Sequence, residues 1–174
     1  MVKRGVFVGR FQPFHKGHLA AVKSVLRGVD EVVVVVGSSQ YSHTLDNPFT
    51  TGERIQMIRE AMEEEHIALA RYWIVPVPDL HIHAVWVAQV VSYTPRFSIV
   101  YTNEPLTRRL FIEAGYDVEP VPFLKRKMYS STEIRERMLS GQVWEELVPR
   151  CVTDIISQIG GVERLRDLAK TDKV

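Results

Sequence analysis

Two histidines three residues apart, His15 and His18, stand in the run Gly9–Arg10–Phe11–Gln12–Pro13–Phe14–His15–Lys16–Gly17–His18–Leu19. The run follows a short apolar stretch, Val6–Val8, and opens a helical pattern. Ligands of open α/β folds bind beyond the carboxyl ends of strands. A helix N-terminus offers a phosphate free N–H groups and a partial positive charge. With a helix beginning near Gly17, both imidazoles face the same space. Gly17 carries no side chain to hold a ligand off the backbone. Two imidazole N–H donors, the helix-end amides and Arg10 can then converge on a phosphate that gains charge during transfer. The plainer alternative is a histidine pair that caps and packs a turn. The chain has no G-x-G-x-x-G and no G-x-x-x-x-G-K-[ST], so neither a dinucleotide fingerprint nor a P-loop is supported.

A second phosphate element is Tyr129–Ser130–Ser131–Thr132–Glu133–Ile134–Arg135. Ser130, Ser131 and Thr132 form a hydroxyl-rich helix start, and Arg135 lies about one turn on, able to aim back at the same site. By itself this string reads more readily as a capping box with a surface arginine, and beside the histidine pair the phosphate reading prevails. Lys125, Arg126 and Lys127, just upstream, add positive charge.

The surrounding pattern supplies elements to position these groups. Val6–Val8, Val32–Val36, Trp73–Val77, Phe97–Tyr101 and, more weakly, Tyr116–Val121 read as strands. Continuous apolar runs suit strands covered on both faces, as in a parallel sheet. Gly17–Arg27, Gly52–Ile67, Ala84–Tyr93 and Pro105–Ala114 read as helices between them, which implies right-handed crossovers and a doubly wound α/β sheet. From about Thr132 the pattern is helical only: Thr132–Ser140, Trp144–Leu147, Cys151–Ile159 and Val162–Ala169. A single domain over 1–174 is expected.

Composition fits that architecture and narrows the partners. Lys plus Arg is 22 and Asp plus Glu 21, a net charge of +1. Nucleic-acid coats and anionic-membrane binders need a basic excess, so neither partner is expected. One cysteine, Cys151, forms no intramolecular disulfide. The longest apolar run, 32–37, is far short of a membrane span, and the N-terminal stretch is too polar for a secretory signal, so a cytoplasmic protein is expected.

Further strings fall at strand ends. Gly37–Ser38–Ser39–Gln40 closes the second strand, and Asn47–Pro48–Phe49–Thr50–Thr51–Gly52–Glu53–Arg54 leads into a helix. Asp79–Leu80–His81–Ile82–His83–Ala84–Val85–Trp86 follows the third strand. Trp86 offers an aromatic plane for a pyridinium, or else belongs to the core of an amphipathic helix. Asp79, His81 and His83 are metal-ligand types at a spacing that says little. Thr102–Asn103–Glu104 follows the fourth strand.

His15-x-Gly17-His18 resembles the HxGH signature of the nucleotidylyltransferase superfamily, related to the HIGH sequence of class I aminoacyl-tRNA synthetases. The longer string from Gly9 to His18 resembles the archaeal nicotinamide-mononucleotide adenylyltransferases. Ser130–Arg135 resembles that family's S-x-T-x-x-R element, and the Gly37–Gln40 and Asn47–Arg54 strings resemble two more of its motifs. The resemblance spans almost the whole chain. It implies a Rossmann-like fold and adenylyl transfer from ATP to nicotinamide mononucleotide, giving NAD and pyrophosphate. His15, His18, Arg10 and Arg135 would be catalytic. Gly9, Phe11, Pro13, Gly17, Asn103, Ser130, Ser131 and Thr132 would bind ATP. Gly37, Ser38, Asp79 and Trp86 would bind the mononucleotide. Mg²⁺ would be held mainly by the ATP phosphates, without a metal site of the protein's own. A homo-oligomer, a hexamer in that family, is also implied. One position departs: some members carry a basic residue where this chain has Asp46, so a phosphate contact from there is not carried over. Rival readings are another HxGH enzyme (a phosphopantetheine adenylyltransferase or a cytidylyltransferase) and a non-catalytic nucleotide-binding regulator.

Overall fold

The second strand holds five consecutive valines, and the fold uses both faces of it. Residues 2–122 and 128–170 are described by the computed structural model. The strands are β1 (Arg4–Gly9), β2 (Glu31–Val36), β3 (Tyr72–Pro76), β4 (Ile99–Tyr101) and β5 (Asp117–Glu119). They form one parallel sheet in the order β3-β2-β1-β4-β5. Val32, Val34 and Val36 enter one core and Val33 and Val35 the other, all fully buried. A strand covered on both faces has no polar alternation to show.

Helices α1 (Lys16–Val25), α2 (Thr51–Glu64), α3 (Trp86–Tyr93) and α4 (Pro105–Glu113) connect the strands. The larger core lies under α1 and α2, and the smaller, with Val90 and Phe111, under α3 and α4. Strand order reverses between β1 and β4, which leaves a crevice beyond their carboxyl ends. The fourth strand is shorter than the pattern predicts. Phe97 leaves the ladder to stack on Tyr116 at 4.9 Å.

The C-terminal part comprises α5 (Ser131–Ser140), α6 (Arg150–Gln158) and α7 (Gly161–Ala169). Expected helix 144–147 is a single 3-10 turn, Glu145–Leu147. These helices complete the larger core rather than standing apart: Trp144, Leu147, Ile155, Ile156 and Leu165 share it with Phe7, Phe11 and Phe14. A Cβ on Gly161 would stand 2.9 Å from the Phe49 ring, so glycine lets α7 close on the turn before α2. Arg164 clamps the same turn, donating to Pro48 O at 3.1 Å and to both Glu53 carboxylate oxygens at 2.7 and 2.8 Å. No helix among the described residues is long and apolar enough to cross a membrane.

Candidate active site

Two cavities meet at the crevice and share Val8, Thr102 and Glu104. The first, about 300 Å³, is lined by His15, Gly17, His18, Asn103 and the start of α5 at Tyr129, Ser130 and Ser131. The second, about 400 Å³, is lined by Gly9, Arg10, Gly37, Ser38, Asp79 and Trp86 among others. Both border the end of β1 through Val8.

The histidines cap the helix and also line the first cavity. His15 is the N-cap of α1, and its Nδ1 accepts from the His18 backbone N–H at 3.2 Å. The His18 Nδ1 accepts in return from the His15 backbone N–H at 3.3 Å. The rings stack at 3.5 Å, and the second is also enclosed by Phe11 and Phe14 at 4.8 and 5.5 Å. Burial pushes His15 down to about 3. Burial and the neighbouring His15 hold His18 well below the ordinary histidine value. Both are therefore neutral at pH 7. An imidazole whose Nδ1 accepts carries its proton on Nε2. Capping thus leaves two neutral Nε2–H donors free for another acceptor.

Buried polar side chains tie down the loops around the cavities. Gln12 donates to Phe49 O at 3.0 Å and accepts from Phe49 N at 2.9 Å. Arg54 is fully buried with no carboxylate partner among the described residues. It donates to Arg10 O and Gly37 O, each at 2.9 Å, and to Ser38 O at 3.2 Å. Burial, then the Arg10 charge, pushes its guanidinium down to about 10. Gln40 clamps Asp79, donating to its carbonyl at 2.6 Å and accepting from its N–H at 2.8 Å. Asn103 donates to Val121 O at 2.7 Å, pinning the chain after β5 beside β4.

The expected residues fall into distinct groups. His15, Gly17, His18, Asn103, Ser130 and Ser131 line the first cavity. Gly37, Ser38, Asp79 and Trp86 line the second, and so do Gly9 and Arg10, at the end of β1. Phe11, Pro13, Thr132 and Arg135 line neither. Phe11 holds a left-handed backbone (φ 54°) and packs under Gly9, where a Cβ would lie 2.7 Å from its ring. Gly17 likewise makes room for protein: a Cβ there would stand 3.0 Å from both the His15 ring and Tyr129. The Ser131 hydroxyl donates to Pro13 O at 3.0 Å, and the Ser130 oxygen caps α5 by accepting from Glu133 N at 3.1 Å. Arg135 is buried, donating to Gln12 O at 2.9 Å, and its second nitrogen lies 3.4 Å from the exposed Asp46 carboxylate. Lys125, Arg126 and Lys127 lie outside the described residues. Asp79, His81 and His83 do not converge: among the described residues no three His, Cys, Asp or Glu side chains are grouped to hold a metal ion. Cys151 lies away from both cavities, its thiol pushed up to about 12 by burial.

Comparison with known proteins places the chain in a family. Residues 6–137 match the cytidylyltransferase-like family model. The chain is 51% identical to the nicotinamide-nucleotide adenylyltransferase of Thermococcus kodakarensis over 97% of its own length and 90% of the relative's. It is 54% identical to the enzyme of that name from Ignicoccus hospitalis, over 97% and 99%. The chain belongs to the nicotinamide-nucleotide adenylyltransferase family. Its fold is also that of a bifunctional NMN adenylyltransferase/ADP ribose pyrophosphatase from Francisella tularensis, crystallised with AMP and a manganese ion. That likeness has a TM-score of 0.76 at 24% identity and covers 97% of this chain but 52% of that one.

As a nicotinamide-nucleotide adenylyltransferase-family chain, it uses residues that sequence reasoning passed over. Arg54 sits inside a string quoted only for resemblance, yet its guanidinium joins the loops after β1 and β2. Glu104 lines both cavities and caps α4, accepting from Leu106 N at 3.1 Å. Burial alone would raise its carboxyl, but the Thr107 and Leu106 N–H groups outweigh that and hold it below the usual carboxylate range. A helical glutamine, Gln89, lines the second cavity. Its only signal in the sequence was its place one turn past Trp86.

Proposed function

We propose that the chain transfers the adenylyl group of ATP to the 5′-phosphate of nicotinamide mononucleotide, giving NAD and pyrophosphate. The observation that carries this is the meeting of two cavities at the end of β1, one walled by the histidine pair and the other by Arg10 and Trp86. ATP occupies the first, with its triphosphate along the amides of α1 and α5. The mononucleotide occupies the second, its ring against Trp86 and its phosphate at Gly9 and Arg10.

The acceptor phosphate is already anionic at pH 7, so no side-chain base is needed to activate it. It attacks the α-phosphorus in line, a P–O bond forms as the bond to the bridging oxygen breaks, and pyrophosphate leaves with that electron pair. The reaction is catalysed by positioning and charge stabilisation. The Nε2–H groups of His15 and His18 donate to the α-phosphate oxygens, strengthening as negative charge grows. Arg10, and Arg135 once Asp46 yields, neutralise the departing pyrophosphate. A divalent cation, Mg²⁺ in our reading, would be held by the ATP phosphates and would offset their charge. The chain works in the cytoplasm as a homo-oligomer, without nucleic acid.

Pyrophosphate release with ATP and nicotinamide mononucleotide tests this directly. Turnover that requires both substrates is expected. ATP binding by calorimetry without pyrophosphate release would instead identify a regulator.

A further inference from the structure

Beside the second cavity lies a buried polar atom that nothing among the described residues satisfies. Gln89 lies one turn past Trp86 on α3, so the two side chains share a helix face, and both line the cavity. Gln89 is only 9% exposed. Its amide nitrogen donates to Pro78 O at 2.7 Å. That bond fixes the sense of the amide, because flipping it would set one acceptor oxygen against another. The Oε1 is then left buried with no hydrogen-bond partner. Native structures leave few buried acceptors without a donor, and each calls for a physical reason.

We propose that Gln89 reads the carboxamide of the mononucleotide: its Oε1, closed to water as the wall stands, is uncovered when a nicotinamide ring seats against Trp86 and accepts an N–H from it. This rests on the transferase reading above. It makes Gln89 a specificity residue that favours nicotinamide mononucleotide over nicotinic acid mononucleotide. The two acceptors differ in one group. A carboxamide brings two N–H donors, whereas a carboxylate at neutral pH brings none and presents oxygen to oxygen. The charges lining the cavity act in the same direction. Asp79 and Glu104 are acidic, and Glu104 is held ionised by the α4 amides. Arg10 also lines it but is committed to phosphate. A site built around a substrate N–H rejects the analogue lacking it more strongly than a purely steric pocket does.

Pyrophosphate release at pH 8 with three mononucleotides tests the proposal: nicotinamide, nicotinic acid and 3-acetylpyridine. The last replaces the amide nitrogen by methyl, keeping the carbonyl and removing the N–H. The native chain is expected to prefer nicotinamide by about tenfold or more in kcat/KM over each of the others. Gln89→Met keeps the side-chain length and removes the acceptor. It should lower kcat/KM about tenfold for nicotinamide and leave the acetylpyridine substrate within about twofold. An equal fall for all three would make Gln89 merely structural and overturn the proposal. Equal use of nicotinamide and acetylpyridine by the native chain would overturn it even if the variant fails to fold. No release with any of the three would sink the transferase reading itself, and this one with it.

Discussion

His15 and His18 cap each other: each ring nitrogen Nδ1 accepts the other residue's backbone N–H, at 3.2 and 3.3 Å. Capping and chemistry are often alternative explanations for a histidine at a helix start. Here they are coupled, because the bond at Nδ1 fixes the tautomer that frees Nε2–H. Neutrality matters too. A neutral donor binds phosphate without needing to be protonated first, so catalysis at pH 7 does not depend on a minor protonated form.

Replacing His18 by Ala removes one donor and one half of the capping pair. The kcat should fall about 100- to 1,000-fold, as for a single oxyanion donor, with a smaller change in KM for ATP. Steady-state kinetics at saturating mononucleotide measure this, and near-normal kcat would remove His18 from the chemistry. Between pH 6 and 8 the native kcat should show no histidine limb, because both rings are already neutral.

The same burial makes stability depend on pH. The His15 folded value, about 3, lies below the unfolded value near 6.5, so between these limits the unfolded chain binds more protons. Stability is then fully present above about pH 6.5 and falls as pH drops toward 3, by up to about 1.4 kcal/mol per pH unit from this residue. Urea unfolding midpoints between pH 7 and 4 test the sign. His15→Asn, which retains a capping oxygen, should flatten the slope. An unchanged slope would show that the ring is protonated in the fold.

Arg54 holds five backbone carbonyls, those of Arg10, Gly37, Ser38, Tyr41 and Thr50, without a carboxylate among the described residues. Arg54→Lys keeps the charge but loses the planar fork, so most of those bonds go unmade. A stability loss of about 2 kcal/mol is expected, together with weaker binding of both substrates, because the loops after β1 and β2 loosen together. Thermal unfolding and both KM values check it. A change in one KM alone would place Arg54 on one side of the site.

Asp46 competes for Arg135. Its exposed carboxylate sits 3.4 Å from a guanidinium nitrogen that, in the mechanism proposed above, would take the pyrophosphate. Asp46→Asn should lower the KM for ATP about two- to fivefold, the scale of an exposed ion pair, and should tighten inhibition by pyrophosphate in parallel. The gain should shrink in high salt. No change in either constant would mean that Arg135 is released without cost.

Trp86 is half-buried, with one side against the smaller core and the other in the cavity wall. Trp86→Phe should keep the fold and raise the mononucleotide KM by a few-fold at most, while Trp86→Ala should raise it about tenfold or more. Parallel loss of thermal stability in the Phe variant would assign the residue to the core alone.

Much of this was legible in one dimension. The sequence by itself determined the strand–helix alternation, because a valine run cannot sit on a half-wet sheet and the turn residues fall where helices begin and end. It also determined the local chemistry of α1, since His15 and His18 meet through backbone bonds only three residues apart. Ser130 as the cap of α5 belongs to the same class. Tertiary structure decided the rest. Phe11 and Pro13 stand in the most informative string yet lie under the site, because the turn after β1 folds its aromatic ring beneath Gly9. Arg135 lines neither cavity and is held by the Gln12 carbonyl, a partner 123 residues away, so its approach to a phosphate depends on a contact the string does not show. Arg54 and Gln89 gave only faint signals, a place in a turn string and a place one turn past Trp86. Their roles depend on carbonyls from other loops and on which side of a helix faces the crevice, and both are fixed only when strand order reverses between β1 and β4.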